Sequence, residues 1–349
     1  MDDAVGPSQV KDEEYFFEDG NCVFWVEGVL FNLHRTILRR NSTFFHNLFS
    51  LPKAADGANG QSNDQPIVCH DPVPTFRAWC CALYAGFNNL QPEDLDKEKV
   101  AHIGLMAHKY GCDAMENWAK DTFLTKLEDE EEDFTNECLE YWLRVATQCY
   151  WPRNVVAVSE SRLLDSISEE NPHHLRDVIR IADNVESEGL KARAYYQFLR
   201  CHEWSLSPPQ RADRAAGGFT FMLANAATIP WFEPLTFLTD SQKLRLHHGY
   251  IALSALRDQM RRMPSVDIDC SCTARLRKRW AQEGEKMSLD WFYLDPKEFL
   301  QSMRYKLEPW VCDNHEPGVA CGLAMFRSQV DGFLDTFDDN LVRFFPKHF

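Results

Sequence analysis

Near Pro92 the apolar pattern of this chain changes its period. Before that point the runs are short. Asn21 to Val26 is rich in β-formers, Glu27-Gly28 interrupts it, and Val29-Leu30-Phe31 resumes it, which predicts a hairpin. Thr36, Ile37 and Leu38 then open a short helix, and Asn41-Ser42 supplies the cap for a second one carrying Phe44, Phe45, Leu48 and Phe49, with Pro52 as its stop. Residues 53–65 lack periodicity and read as a surface loop; 66–70 reads as another strand. Pro74-Thr75 opens a helix whose Phe76, Trp79, Cys80, Leu83 and Tyr84 share helical spacing until Gly86. After Pro92 the period is helical: Val100, Ile103, Ala107 and Tyr110 form one stripe, and Met115, Trp118, Ala119, Phe123 and Leu127 another. A chain that mixes short strands and helices and then turns wholly helical is expected to fold as α+β.

An acidic run from Glu128 to Asp133 separates this block from a second helix pair that repeats the first at an offset of about 75 residues, setting Ile103 with Val178, Ala107 with Ala182, Tyr110 with Val185, Met115 with Leu190, Phe123 with Phe198 and Leu124 with Leu199. Either a duplication or two antiparallel helix pairs with the same packing geometry explains the match. Pro208-Pro209 and Gly217-Gly218 mark loops, 239–256 is again helical with Leu244, Leu246, Tyr250 and Leu253 apolar, and the remainder is less regular. The expected organisation is a flexible N-terminus at 1–14, an α+β domain with its following helices at 15–127, a helical region at 128–256 and an irregular cysteine-containing segment at 257–349.

Bulk properties narrow the function. At 349 residues there is chain enough for about two domains. The net charge of −16 repels a phosphate backbone, and the one basic cluster, Arg275, Arg277, Lys278 and Arg279, spans a single turn, so no nucleic-acid partner is expected. Met1 to Tyr15 is acidic and polar, unlike a secretory signal, and no window is long and apolar enough to span a membrane. The twelve cysteines are scattered, many within apolar runs such as 79–83, which suits reduced thiols in the cytoplasm or nucleus.

The run Phe31-Asn32-Leu33-His34-Arg35-Thr36-Ile37-Leu38, followed by Ser42, Phe45 and Phe49, resembles the F-x-V-H-[KR]-x-x-L…S-x-x-F signature of BTB/POZ domains. Phe76 to Gly86 is similar to that family's F-x-x-L-L-x-x-[IL]-Y-T-G helix, in the expected order and distance. The two segments cover roughly residues 15 to 125, and the rest resembles the helical (BACK-like), cysteine-containing extension of fungal BTB-domain proteins, whose A-x-x-Y-x-x-x-x-L-x-x-x-A segments are matched at Ala107 to Ala119. The resemblance implies a short sheet flanked by helices, with Leu33, Leu38, Phe45, Phe49, Phe76, Leu83 and Tyr84 in the core and His34 as a packing residue.

It also implies a protein-interaction adaptor or scaffold, commonly a homodimer, with a corepressor-binding transcriptional regulator and a cullin ubiquitin-ligase adaptor as alternatives. The implied dimer contacts are Tyr15, Phe16 and Phe17 together with Thr36, Ile37 and Arg40 of the first helix. The chain departs from the family at two places: Asn21 stands where the first strand often begins with Asp, and Leu51-Pro52-Lys53 replaces the hydrophobic-x-Glu motif of cullin binders.

One constellation has metal-ligand character. Cys270-x-Cys272, followed by Cys312-x-x-His315 and Cys321, could close a tetrahedral structural zinc site, the alternative being buried unliganded thiols. Phosphate loops, nucleophile elbows and H-E-x-x-H motifs are lacking, and Cys201-His202, His173-His174 and His247-His248 are neighbours in sequence only, so no enzyme is expected. An uncharacterised enzyme using Cys and His is the remaining alternative.

Overall fold

A computed structural model describes residues 10–51, 62–63, 65–129, 133–168, 171–202, 235–260, 271–289, 295–307 and 321–346. It is a mixed α+β structure, mostly helical, with one four-stranded sheet near its N-terminus. The chain forms two compact units, Met1–Arg162 and Leu163–Phe349, whereas the acidic run suggested a boundary at 127.

In the first unit β1 (Val10–Phe16), β2 (Cys22–Val26), β3 (Val29–Leu33) and β4 (Ile67–Cys69) are ordered β1-β3-β2-β4. β2 and β3 form the expected hairpin, with Val26 opposite Val29; Glu27 and Gly28 both take positive φ, as a two-residue turn matched to strand twist requires. β1 lies parallel to β3 and β4 parallel to β2, so β1 and β4 are the sheet edges. Val10 to Glu14, read from sequence as the end of a flexible N-terminus, thus belongs to a strand. Two short helices follow β3. At α1 (Arg35–Asn41) the first amide is taken by the Asn21 side chain at 2.8 Å, and α2 (Thr43–Leu48) begins at Ser42, whose Oγ accepts from the Phe45 amide at 3.0 Å. Asn41 closes α1 rather than capping α2, and α2 ends before Pro52 is reached.

The Glu27 carboxylate accepts the first amide of α3 (Val73–Ala85) at 2.9 Å, and Gly86 ends that helix at φ 76°. α3 lays Phe76 on the sheet, where its ring stands 4.8 Å from Phe31 and 5.5 Å from Phe24, and sets Trp79 4.9 Å from Tyr110 and 5.9 Å from Phe45. Each large ring buried here contributes about 1.5–3 kcal/mol. α4 (Lys97–Lys109) and α5 (Asp113–Glu128) bury the two stripes seen in the sequence, with Trp118 half-buried beside them. α6 (Asn136–Gln148) packs on α4 and stacks Trp142 on Phe123 at 3.6 Å. Arg162 of α7 (Arg153–Asp165) donates to the Leu127 and Asp129 carbonyls at 2.8 and 2.6 Å, closing the end of α5.

The second unit contains α8 (His174–Asn184), α9 (Glu188–His202), α10 (Asp240–Met260), α11 (Ser271–Leu289), α12 (Pro296–Leu307) and α13 (Gly322–Asn340). The C-terminal segment expected to be irregular is therefore helical over most of its described length. Its apolar residues recur at helical spacing, Leu276 with Trp280, Phe299 with Met303, and Leu323 with Phe326 and Val330, and they share one buried cluster. Leu244, expected on the apolar face of α10, is exposed, while Leu246 and Leu253 are buried.

The two halves of the 75-residue offset share a local feature. α4 and α8 both end in the same turn, in which the amide two residues past the cap reaches back to an alanine carbonyl: Cys112 to Ala107 and Ser187 to Ala182, both at 2.8 Å. A third copy ends α6, with Trp151 donating to Ala146 at 2.9 Å, between the two halves of the offset. The same turn thus recurs at the ends of α4, α6 and α8. Its left-handed residue is Gly111 (φ 60°), Tyr150 (φ 52°) or Glu186 (φ 55°), and glycine occupies the copy where a Cβ would run into the Thr43 hydroxyl. Tyr150 is 89% exposed, so its side chain has little packing to lose. Tyr150→Gly is expected to raise stability by about 0.5–1 kcal/mol, read as a higher urea midpoint at unchanged slope; a lower midpoint would contradict this backbone reading.

Candidate interaction surface

β1 is half in the core and half at the surface. Its Val10, Lys11, Glu13 and Glu14 are exposed, and Asp12 and Tyr15 are buried. A buried carboxylate in an edge strand needs partners. Asp12 has three: Oδ1 accepts from the Glu14 and Tyr15 amides at 3.1 and 2.8 Å, and Oδ2 accepts from Arg77 Nε of α3 at 2.7 Å. By taking those two amides Asp12 bends the strand, and the pairing with β3 shifts register between Lys11 and Phe16. Neither Asp12 nor Arg77 carries a signal in the sequence, because a lone acid in an acidic tail looks solvated.

The end of β1 meets the start of α1 through aromatic rings. Phe17 lies 4.6 Å from Tyr84 and 5.1 Å from His34, and Tyr15 lies 6.2 Å from Tyr84. The Tyr84 hydroxyl accepts from the His34 amide at 2.9 Å and pairs with His34 Nδ1 at 3.0 Å, while His34 Nε2 faces the exposed Asp19 at 3.2 Å. His34 is thus a packed, fully engaged residue. Burial, ahead of the opposing bond from the His34 amide, pushes the Tyr84 phenol up to about 12. Arg35 lays its guanidinium 4.6 Å over the Phe49 ring, beside Cys22, whose thiol burial pushes up to about 12 despite that cation. The Asn21 side chain accepts from the Arg35 amide at 2.8 Å, and the Asn21 amide donates to the Leu33 carbonyl at 2.9 Å.

The six expected contact residues sort by burial. Tyr15 is 6% exposed and belongs to the core, so it has no surface to offer a partner. Phe16, Phe17 and Ile37 are half-buried; Thr36 and Arg40 are exposed. Around them the charges segregate, with Glu13, Glu14, Glu18 and Asp19 exposed along β1 and the turn after it, and Arg39 and Arg40 exposed at the end of α1. At the opposite sheet edge Val68 is exposed, and so are Phe44, Leu48 and Leu51 on and just after α2.

Of the five expected metal ligands, Cys270, Cys312 and His315 lie outside the described residues. Cys272 and Cys321 are brought together, with their Sγ atoms 3.6 Å apart. Among the described residues no group of three or more His, Cys, Asp or Glu converges as a metal site. The histidine pairs diverge: His173 packs edge-on against Phe237 at 4.9 Å while His174 Nδ1 meets the Ser166 carbonyl at 2.9 Å, and His248 Nδ1 meets the Phe344 carbonyl at 3.0 Å. The basic cluster Arg275, Arg277, Lys278 and Arg279 is exposed on α11. No described helix is long and apolar enough to cross a membrane. The chain matches no protein-family model and no curated protein.

Asp12→Ala removes three hydrogen bonds to one buried group and is expected to cost about 2–3 kcal/mol. Amide exchange over residues 10–16 should rise together with the loss of stability, and unchanged protection there would show that Asp12 does not hold β1.

Proposed function

We propose that this chain is an intracellular protein-interaction adaptor or scaffold of the BTB/POZ type, which self-associates through the β1 edge and the exposed face of α1. The observation that carries the reading is a division of labour among the residues of the resemblance. Phe31, Leu33, Leu38, Phe45, Phe76, Trp79 and Leu83 converge in one core, while β1 and the turn after it keep Glu13, Glu14, Glu18 and Asp19 exposed and the end of α1 keeps Arg39 and Arg40 exposed. A two-fold contact sets the same patch against itself, so the acidic strip of one copy meets the arginines of the other. Such a contact is favourable locally although the chain carries a net charge of −16. An edge strand also offers unpaired backbone groups that a second chain can use. The buried thiols of Cys22, Cys69, Cys80 and Cys112, all pushed up by burial, suit a reducing compartment.

A transcriptional regulator or a cullin-ligase adaptor would use the same dimer. The exposed Phe44, Leu48 and Leu51 favour a further protein contact beside α2, although Lys53 still stands where cullin binders carry an acid.

Light scattering on the eluting full chain tests the reading. A dimer is expected at micromolar concentration, weakened by salt as exposed charges are screened over about 10 Å. Thr36→Glu with Arg40→Glu should raise the dimer dissociation constant at least about tenfold, or roughly 1.4 kcal/mol, with the thermal midpoint of the dilute monomer unchanged because both side chains are exposed. A monomer at every concentration, or a dimer indifferent to both substitutions, overturns the proposal.

A further inference from the structure

Two cysteines of the second unit meet where two helices begin. Cys272 lies in the first turn of α11, and Cys321 is the residue from which α13 starts. They are 49 residues apart in sequence, yet their sulfurs, both in the thiol state, stand 3.6 Å from each other. We propose that Cys272 and Cys321 form a reversible redox site, in which a hydroperoxide oxidises Cys272 and Cys321 closes on it as a disulfide that ties the starts of α11 and α13 together. Both residues belong to the second unit, so the site stands or falls apart from self-association through the first.

Contact between the sulfurs is the first ground. Cys69 meets the Tyr110 hydroxyl at 3.4 Å, Cys112 the Tyr110 carbonyl at 4.0 Å and Cys201 the Ile167 carbonyl at 3.3 Å, whereas Cys272 meets another thiol. A disulfide sets its sulfurs about 2.05 Å apart, so bonding asks for about 1.5 Å of approach, shared between two short side chains. Unequal access is the second ground. Cys321 is 7% exposed within the cluster of Leu276, Trp280, Leu323 and Phe326, while Cys272 is half-buried at its margin. A small oxidant therefore reaches Cys272 first, and the sulfur already beside it resolves the product before an outside thiol does. With hydrogen peroxide, the Cys272 sulfur attacks one oxygen, the O–O bond breaks, and a sulfenic acid and one water form. The Cys321 sulfur then attacks the Cys272 sulfur, the S–O bond breaks, and the hydroxide leaves with the Cys321 proton as a second water. The two thiols lose two electrons and the peroxide gains them; a dithiol reductant returns them by exchange. The bond closes a span of 49 residues that includes α12, which restricts the unfolded chain and holds these helices more firmly.

The test uses the full chain, reduced with a dithiol, desalted and treated with hydrogen peroxide; remaining thiols are blocked with iodoacetamide, and the cysteines are mapped by mass spectrometry without reduction. A Cys272–Cys321 cross-link is expected, forming at least about tenfold faster than Cys138, a half-buried cysteine of the first unit, is oxidised, and undone by renewed dithiol. In urea, where the fold no longer holds the pair together, that lead should vanish. In Cys321→Ser, oxidation should stop at a Cys272 sulfenic acid that dimedone captures. Should that variant fold poorly, mapping of the natural sequence decides alone. The proposal is overturned if Cys272 and Cys321 stay reduced while Cys138 is oxidised, if no cysteine reacts, if the cross-link runs to another cysteine such as Cys270 or Cys312, if it forms no faster in the folded chain than in urea, or if dithiol fails to restore both thiols.

Discussion

The first unit is organised around the turn at Tyr110 and Gly111. The Tyr110 ring lies 5.1 Å from Phe45 and 4.9 Å from Trp79, and its hydroxyl reaches Asp71 at 3.1 Å and Cys69 at 3.4 Å. Its carbonyl accepts from the Ser42 hydroxyl at 2.5 Å, and the Gly111 carbonyl accepts from the Thr43 amide at 3.0 Å. One turn therefore fixes the start of α2, the end of β4 and the seat of α3. Burial, followed by the neighbouring Cys69 and Asp71, holds the phenol far above its usual range, so it stays protonated and serves as a donor. Lys109, 2.6 Å from Asp71, balances the carboxylate to which that donor points.

With the core tied down from the helical side, the opposite margin of the sheet is left to β1. That strand is secured by one buried carboxylate and its arginine, so most of its length can present backbone and charge outward. The described members of the histidine pairs take separate structural partners.

Much of the first unit was legible in the sequence. The hairpin showed through its β-formers and the Glu27-Gly28 turn, α3 through Pro74 and Gly86, and α4 and α5 through stripes that the structure buries. β1 was hidden because its buried positions are Asp12 and Tyr15 within Lys-Asp-Glu-Glu, and an acid paired with Arg77 from a distant helix looks like a solvated one. The C-terminal helices were hidden because their apolar residues are thinly spread among basic and polar ones, and only contact between helices unites Trp280, Phe299 and Phe326. The expected contact residues were legible as a segment but not as a face: Tyr15 and Phe16 were expected together, and the structure separates the buried ring from the half-exposed one. The cysteine spacing pointed toward the C-terminal pair, while the distance between its members could come only from the fold.

The central claim concerns a surface, and hydrogen–deuterium exchange on the full chain at dilute and concentrated protein reads that surface directly. If the edge of β1 and the exposed face of α1 form the contact, amides of Val10–Phe16 and Arg35–Asn41 will gain protection with concentration while the buried hairpin strand β2 keeps the same rate. Protection that is independent of concentration in both segments, or that rises only elsewhere, would contradict the account.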